Sequence, residues 1–329
     1  MEFSIYEDRA SVVSPSDSEA LIAAIERAAL QRSDGNRRAG IFGPDSMSWR
    51  VNREAALFLG AGRAALLQLA HPWVATALEQ HSTLMSRPIV RFHNTFRIVF
   101  AMIFGSLDQA LAASRNLYAL HTRIRGEMAE DIAAYRRGSH YEANEIAALR
   151  WVYATLMESA VLAHECVMPA LTPRELADYY VESKTMAALF GLPAAALPGD
   201  WPAFLAYCRE MEQSNALGVG ATARIMADNL LAGAGSWIKP PHWYRALTTE
   251  WLPERFRGEF QLDFGSADLR AAERAKRRLP QLYRKLPRAV RFIGPWHEAA
   301  DRLQGKHPGM GARLSNRFWI GEACLPFED

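Results

Sequence analysis

The chain has 329 residues, half of them hydrophobic and 22% charged, a composition that excludes disorder and suits a folded globular protein with one large core or two modest ones. Thirty-eight Lys and Arg against 36 Asp and Glu leave a net charge of +2, too balanced for nucleic acid to be the main partner. Cys166, Cys208 and Cys324 are far apart, odd in number and in no metal-ligand spacing, so they are read as reduced thiols.

The first residues, Met1 to Arg9, lack a basic stretch followed by an apolar one, and Arg37-Arg38 is not followed by an apolar run. No secretory or twin-arginine signal is therefore expected, and the default location is cytoplasmic. Ser16-Asp17-Ser18-Glu19 has the form of a capping box opening a helix to about Arg32, where Ser33-Asp34-Gly35 breaks it. A second helix is expected from near Ser48 through Ala65 to His71, ended or kinked by Pro72. The apolar window Ala55 to Leu78 is long enough to span a bilayer. Arg63, Gln68 and His71 near its middle would be unfavourable in lipid, so a buried core helix is expected.

Apolar residues at Leu107, Ala110, Leu111, Leu117, Leu120 and Ile124 recur with a helical period, predicting a helix from Leu107 to about Tyr135. Another runs from Glu142 to Cys166. Thr172-Pro173-Arg174-Glu175 is the clearest start signal, with a capping Thr, a Pro suited to the first turn and a Glu closing the box. That helix should end at Gly191, with Pro193 beyond. Leu197 to Pro202 is a loop and a helix begins near Trp201. The Gly233 to Ser236 turn and Pro240-Pro241 precede a proline-punctuated helical set, and Phe318 to Phe327 could be extended. With no alternating β-branched runs and no repeat, the fold class is all-α.

Between Arg270 and Arg291 cations outnumber Glu273 heavily, with Leu279, Leu282, Leu286 and Val290 interleaved and Pro280 and Pro287 expected to break the segment. Either a solvated amphipathic face or a peripheral membrane contact through 270–291 fits this pattern.

Several chemistries lack their residues. Gly60-Ala61-Gly62 and Gly218-Val219-Gly220 match a relaxed dinucleotide fingerprint, but neither follows a strand, so close helix packing or the approach of a flat ligand is the expected role. No His has a Glu three residues before it, and no HExxH, GxSxG or CxxCH occurs. Any haem would have to be held by an axial side chain, an apolar slot and cations for its propionates.

The polar residues that stand out lie in apolar helical surroundings: Arg91-Phe92-His93-Asn94-Thr95, then His121-Thr122-Arg123-Ile124-Arg125-Gly126. Arg91 and Thr95, four apart, share a helix face. His121 sits on the stripe with Leu117 and Ile124, where an imidazole could be a hydrogen-bonded core residue or a ligand. For Arg91 and Thr95 the structural alternative is an Arg capping carbonyls and a Thr bonding its own helix. For Arg123 and Arg125 it is surface ion pairing, and for Glu79 an exposed helix position. His71 before Pro72 could simply satisfy a helix-end carbonyl.

Taken in order, Gly60 to Pro72, Glu79-Gln80-His81-Ser82, the two segments above, Arg150-Trp151-Val152-Tyr153-Ala154-Thr155 and Thr172 to Tyr180 resemble the DUF2236 family, which holds the oxygenase MpaB and latex-clearing-protein haem b enzymes. The resemblance covers roughly residues 40 to 300. It implies one helical domain with a globin-like core over 41–300, an N-terminal helical extension over 1–40 and a C-terminal tail, 301–329, packed on it. It also implies non-covalent haem b, O2 as co-substrate, and an apolar isoprenoid- or lipid-like substrate that is hydroxylated or cleaved at a C=C bond. Under that resemblance His121 is the proximal iron ligand, Arg123 and Arg125 pair with propionates, and Arg91 and Thr95 are the distal pair. Glu79 is then the candidate base, with His71 and His81 in supporting or gating roles; in an apolar pocket a carboxylate's pKa would rise. Rubber-cleaving relatives carry a Lys before the distal Thr, where this chain has Asn94, and many relatives read His where it has Tyr153. Both departures weaken rubber as the substrate and any role for that His. A helical haem- or lipid-binding protein without turnover is the alternative function.

Overall fold

The fold is set by helices whose caps are written locally and whose breaks are imposed by distant partners. A computed structural model describes residues 12–82, 87–234 and 239–327. In chain order the helices are α1 (Pro15–Arg32), α2 (Met47–Asn52), α3 (Ala61–Leu69), α4 (Pro72–His81), α5 (Pro88–Phe104) and α6 (Leu107–His121). A two-stranded antiparallel hairpin, β1 (Arg125–Glu127) and β2 (His140–Glu142), follows, with Gly126 opposite Tyr141. Then come α7 (Ile146–Val167), α8 (Pro173–Leu189), α9 (Trp201–Gln213), α10 (Ala221–Ala232) and α11 (His242–Glu250). The remaining helices are α12 (Glu254–Glu259), α13 (Ser266–Tyr283), α14 (Arg288–Arg291), α15 (Gly294–Leu303) and α16 (Met310–Ile320).

The chain is thus predominantly α-helical, as the sequence predicts, with departures at particular points. The α8 start is as expected: the Thr172 hydroxyl accepts from the Glu175 amide and the Glu175 carboxylate accepts from the Thr172 amide. At α1 the cap is Ser14, accepting from the Asp17 amide, rather than Ser16. The expected helix from Ser48 to His71 is three pieces. Glu54 leaves helical geometry to bridge Phe292, a 3-10 turn spans Ala55–Leu59, and α3 restarts after Gly60. Pro72 begins α4 rather than ending a helix. The helix expected to reach Tyr135 stops at His121, where the hairpin takes over. Pro280 lies inside α13, which continues to Tyr283, whereas Pro287 does cap a new helix. Phe318 to Ile320 close α16, and 321–327 form no strand. The Gly235 and Ser236 part of the expected turn lies outside the described residues.

Among the described residues the core has two large apolar clusters and a small third one around Ala246, Leu247 and Ala272. Of the large ones, one gathers α3, α7, α8, α9 and α10 around Trp151, Tyr153, Tyr180 and Phe204; the other gathers α1, α5 and α6 around Trp49, Phe100, Phe104 and Leu111. Among the described helices Ile146–Val167 is long and apolar enough to cross a bilayer, but 67% of its apolar window is buried inside the protein, and Arg150, Thr155, Ser159 and His164 are buried along it. It is the central core helix. The two Gly-x-Gly stretches serve packing. A Cβ at Gly60 would collide with the Ser159 carbonyl of α7, and one at Gly220 with Ile132, so glycine permits the close approach.

His164 on α7 is 3% exposed and burial pushes its pKa down to about 4, helped by the Arg50 and Arg53 charges. The folded pKa lies below the unfolded one, so its contribution to stability is present above pH 6.5 and is lost as pH falls towards 4. Chemical denaturation at pH 7 and pH 4 should show His164→Gln losing less stability on acidification than wild type, by on the order of 2–3 kcal/mol. Equal losses would refute the assignment.

Candidate functional site

α5 and α6 form an antiparallel hairpin joined through Gly105 and Ser106, whose hydroxyl caps α6 with Gln109 closing the box. Arg91 lies thirteen positions before the end of α5 and His121 fourteen after the start of α6. At 1.5 Å per residue both sit about 20 Å from the turn, so the hairpin brings them to the same end. Their charges sense each other. The His121 pKa is pushed down to about 4, first by burial and then by the Arg91 guanidinium, while Asn144 acts in the opposite direction. His121 is therefore a neutral imidazole at physiological pH. Its Nδ1 is buried, and the Asn144 side chain is the polar group beside the ring.

Arg91 and Thr95 are one turn apart on α5. The Arg91 Nη1 donates to the Thr95 Oγ1 at 2.6 Å, and that hydroxyl donates to the Arg91 carbonyl at 3.0 Å. The threonine thus bonds its own helix and also seats the arginine. Burial lowers the Arg91 pKa, and no carboxylate pairs with it among the described residues. Such a cation is costly to bury unless something else meets its donors. Phe92, Phe96 and Val99 beside the pair are half-buried, and Phe58 joins them, touching Phe92 and Phe96 and stacking on Trp319 at 4.0 Å.

The other residues singled out from the sequence fall elsewhere. Arg123 and Arg125 are exposed, Arg125 on β1. Its carbonyl lies 3.2 Å from the Nε2 of His81, which is exposed at the end of α4. Glu79 is also exposed and accepts from the Thr222 hydroxyl at 3.1 Å, so of the two positions the sequence left open it takes the exposed one and not an apolar pocket. His71 is 1% exposed, precedes α4, and its Nε2 faces the Tyr135 hydroxyl at 3.5 Å between the Trp73 and Tyr135 rings. Tyr153 is fully buried with its hydroxyl 2.7 Å from that of Ser183.

Two residues carried no sequence signal. Asn144 sits in the loop before α7, brought against His121 because the Ala143 amide donates to the Ile124 carbonyl at 2.9 Å. Its Oδ1 and the His121 Nδ1 are both buried, an acceptor and a donor side by side. Glu145, the next residue, is 5% exposed, and burial, with Glu142 adding to it, pushes its carboxyl up to about 8. It is protonated at neutral pH. Neither residue could be found from local spacing, since a tertiary contact alone brings that loop to the end of α6.

A family model described as "ER-bound oxygenase mpaB/B'/Rubber oxygenase, catalytic domain" matches residues 49–292. No curated protein and no solved structure matches the chain. The chain belongs to this oxygenase family, and the matched span runs from within α2 through α14, with His121, Arg91 and Thr95 inside it.

Proposed function

We propose that this member of the mpaB/rubber oxygenase family is a haem b-dependent oxygenase acting on an apolar, isoprenoid- or lipid-like substrate, by hydroxylation or oxidative C=C cleavage. One observation carries the reading: a half-buried His121 whose imidazole is held neutral, with Asn144 beside its Nδ1, shares one end of the α5/α6 hairpin with a half-buried arginine that has no carboxylate partner among the described residues. Bound haem b would supply O2 activation, chemistry that no side chain provides. A histidine can hold iron only through a neutral imidazole, and His121 keeps that form well below physiological pH.

The chain's own residues then have distinct tasks. Asn144 is placed to accept from the Nδ1 proton of His121, fixing the tautomer and leaving Nε2 free as the ligand atom. Arg91, seated by Thr95, offers preorganised donors to a polar or anionic oxygen in a dry site, where little reorganisation is needed. Phe92, Phe96 and Val99 keep water away and suit an apolar substrate. Arg123 and Arg125, exposed on the segment after His121, would meet propionates at the rim. His71 and His81 would support the site from the ends of α4, and a base role for Glu79 would act from the solvent side of that helix.

The test is product formation from a panel of isoprenoids and unsaturated lipids, using protein expressed with haem supplied. Arg91→Ala is expected to keep its bound haem yet lose turnover by about 10²-fold, the usual cost of one preorganised donor, with a smaller loss for Thr95→Val. Absence of oxygenated product from haem-loaded wild type across the panel would sink the oxygenase reading and leave a haem- or lipid-binding protein.

A further inference from the structure

We propose that the ridge formed by the end of α13 and α14, residues 274–290, docks the protein on an anionic lipid bilayer. The residues from Arg270 to Arg291 include nine Lys and Arg against Glu273 alone. Two of those cations are engaged: Lys276 by Glu250 at 2.7 Å and Arg291 by Glu54 at 3.0 Å. Arg270, Arg274, Arg277, Arg278, Arg284, Lys285 and Arg288 are exposed and form no ion pair among the described residues.

The apolar residues of the ridge divide in a way that composition alone does not show. Ala272 and Ala275 are buried with Leu279 half-buried behind them, holding α13 against the body. The Tyr283 hydroxyl donates to Glu54 at 3.0 Å and accepts from the Ala56 amide at 3.1 Å, pinning the end of the helix. Beyond it Leu282, Leu286 and Val290 project outward, 63%, 41% and 62% exposed. Large aliphatic side chains held out among unpaired cations match an interfacial surface, where the apolar groups enter the headgroup boundary and the cations meet lipid phosphates.

Other occupants use only part of this surface. Nucleic acid would engage the cations but gain nothing from three exposed aliphatic side chains, since its hydrated backbone offers them no apolar contact. A second copy of the same ridge would set its unpaired cations against their like. Both features together select an anionic membrane.

Co-sedimentation of the full chain with phosphatidylcholine vesicles, with and without phosphatidylglycerol, tests this independently of the haem assignment. Binding is expected only to the anionic vesicles and should weaken with added salt. Leu282→Ser/Leu286→Ser/Val290→Ser and Arg284→Gln/Lys285→Gln/Arg288→Gln should each lower binding by about ten-fold or more. Because these side chains are exposed, both variants should keep the wild-type thermal midpoint. Equal binding to neutral vesicles, no vesicle binding, or full binding by the serine variant would overturn the proposal. The last result would mean that the cations act alone, as they would on a nucleic acid.

Discussion

His121→Ala is expected to yield folded protein that retains no haem and whose turnover falls by more than about 10²-fold. Losing even a group that orients a metal ligand typically costs 10–100-fold, and here the proposed ligand itself is removed. The fold should tolerate the change. His121 closes α6 at its last residue, Asn144 is the one side chain its loss would strand, and Thr122 and Ile124 keep their backbone bonds to Tyr118 and the residue-121 carbonyl. The substitution therefore separates binding from stability. Unchanged circular dichroism with no bound haem is the expected pair of results, whereas unfolding would point to a structural histidine. Because burial and Arg91 hold the imidazole pKa near 4, protons compete for the ligand nitrogen only in strong acid. Haem retention should accordingly be flat from neutral pH to about pH 5.

Arg63→Ala should cost about 3–5 kcal/mol of stability, as expected when one partner of a buried ionic cluster is deleted. The Arg63 side chain is 6% exposed and fixes three helices from α3. Its Nε donates to the Trp251 carbonyl at 2.9 Å, Nη1 to Ser159 at 3.0 Å and Nη2 to Glu158 at 2.8 Å, with Glu212 at 3.5 Å. Burial and the neighbouring Glu158 push the Glu212 carboxyl up to about 7 even with the arginine present. A raised folded pKa means that this carboxyl favours the fold below pH 4.5 and loses that contribution as pH rises through 7. Without Arg63 the conflict between Glu158 and Glu212 is unrelieved, so the variant's deficit should grow from pH 5 to pH 8. Arg63→Lys, which keeps the charge but not the planar fork, should fall between the two. Urea denaturation decides the matter, and a deficit below about 1 kcal/mol would show that the cluster is dispensable.

What could be read from the sequence follows the range of the forces involved. The α8 capping box and the loop before Trp201 are written in adjacent residues, and both appear where expected. So does the shared face of Arg91 and Thr95, which four-residue spacing alone dictates. Breaks imposed from a distance were not legible. Periodicity through Ile124 continued α6, but the segment after His121 is drawn into pairing with Glu142 and Tyr141. Glu54 breaks the expected long helix because Phe292, more than two hundred residues away, pairs with it. Pro280 fails to end α13 because the carbonyl it strands belongs to Lys276, an exposed residue whose backbone water can satisfy.

The candidate site divides along the same line. That His121, Arg91 and Thr95 lie on regular helices was legible from spacing, whereas the roles proposed for them rest on the family resemblance. For Glu79 the sequence left an apolar pocket and an exposed helix position both open, and the last turn of α4 is open to solvent. Asn144 was invisible because a backbone bond between Ala143 and Ile124 is what carries it to the histidine.

The visible absorption spectrum of protein expressed with haem supplied tests the central claim most directly. A Soret band in wild type that disappears in His121→Ala is the predicted result; a wild type with no Soret band, or a band that His121→Ala leaves unchanged, would contradict it.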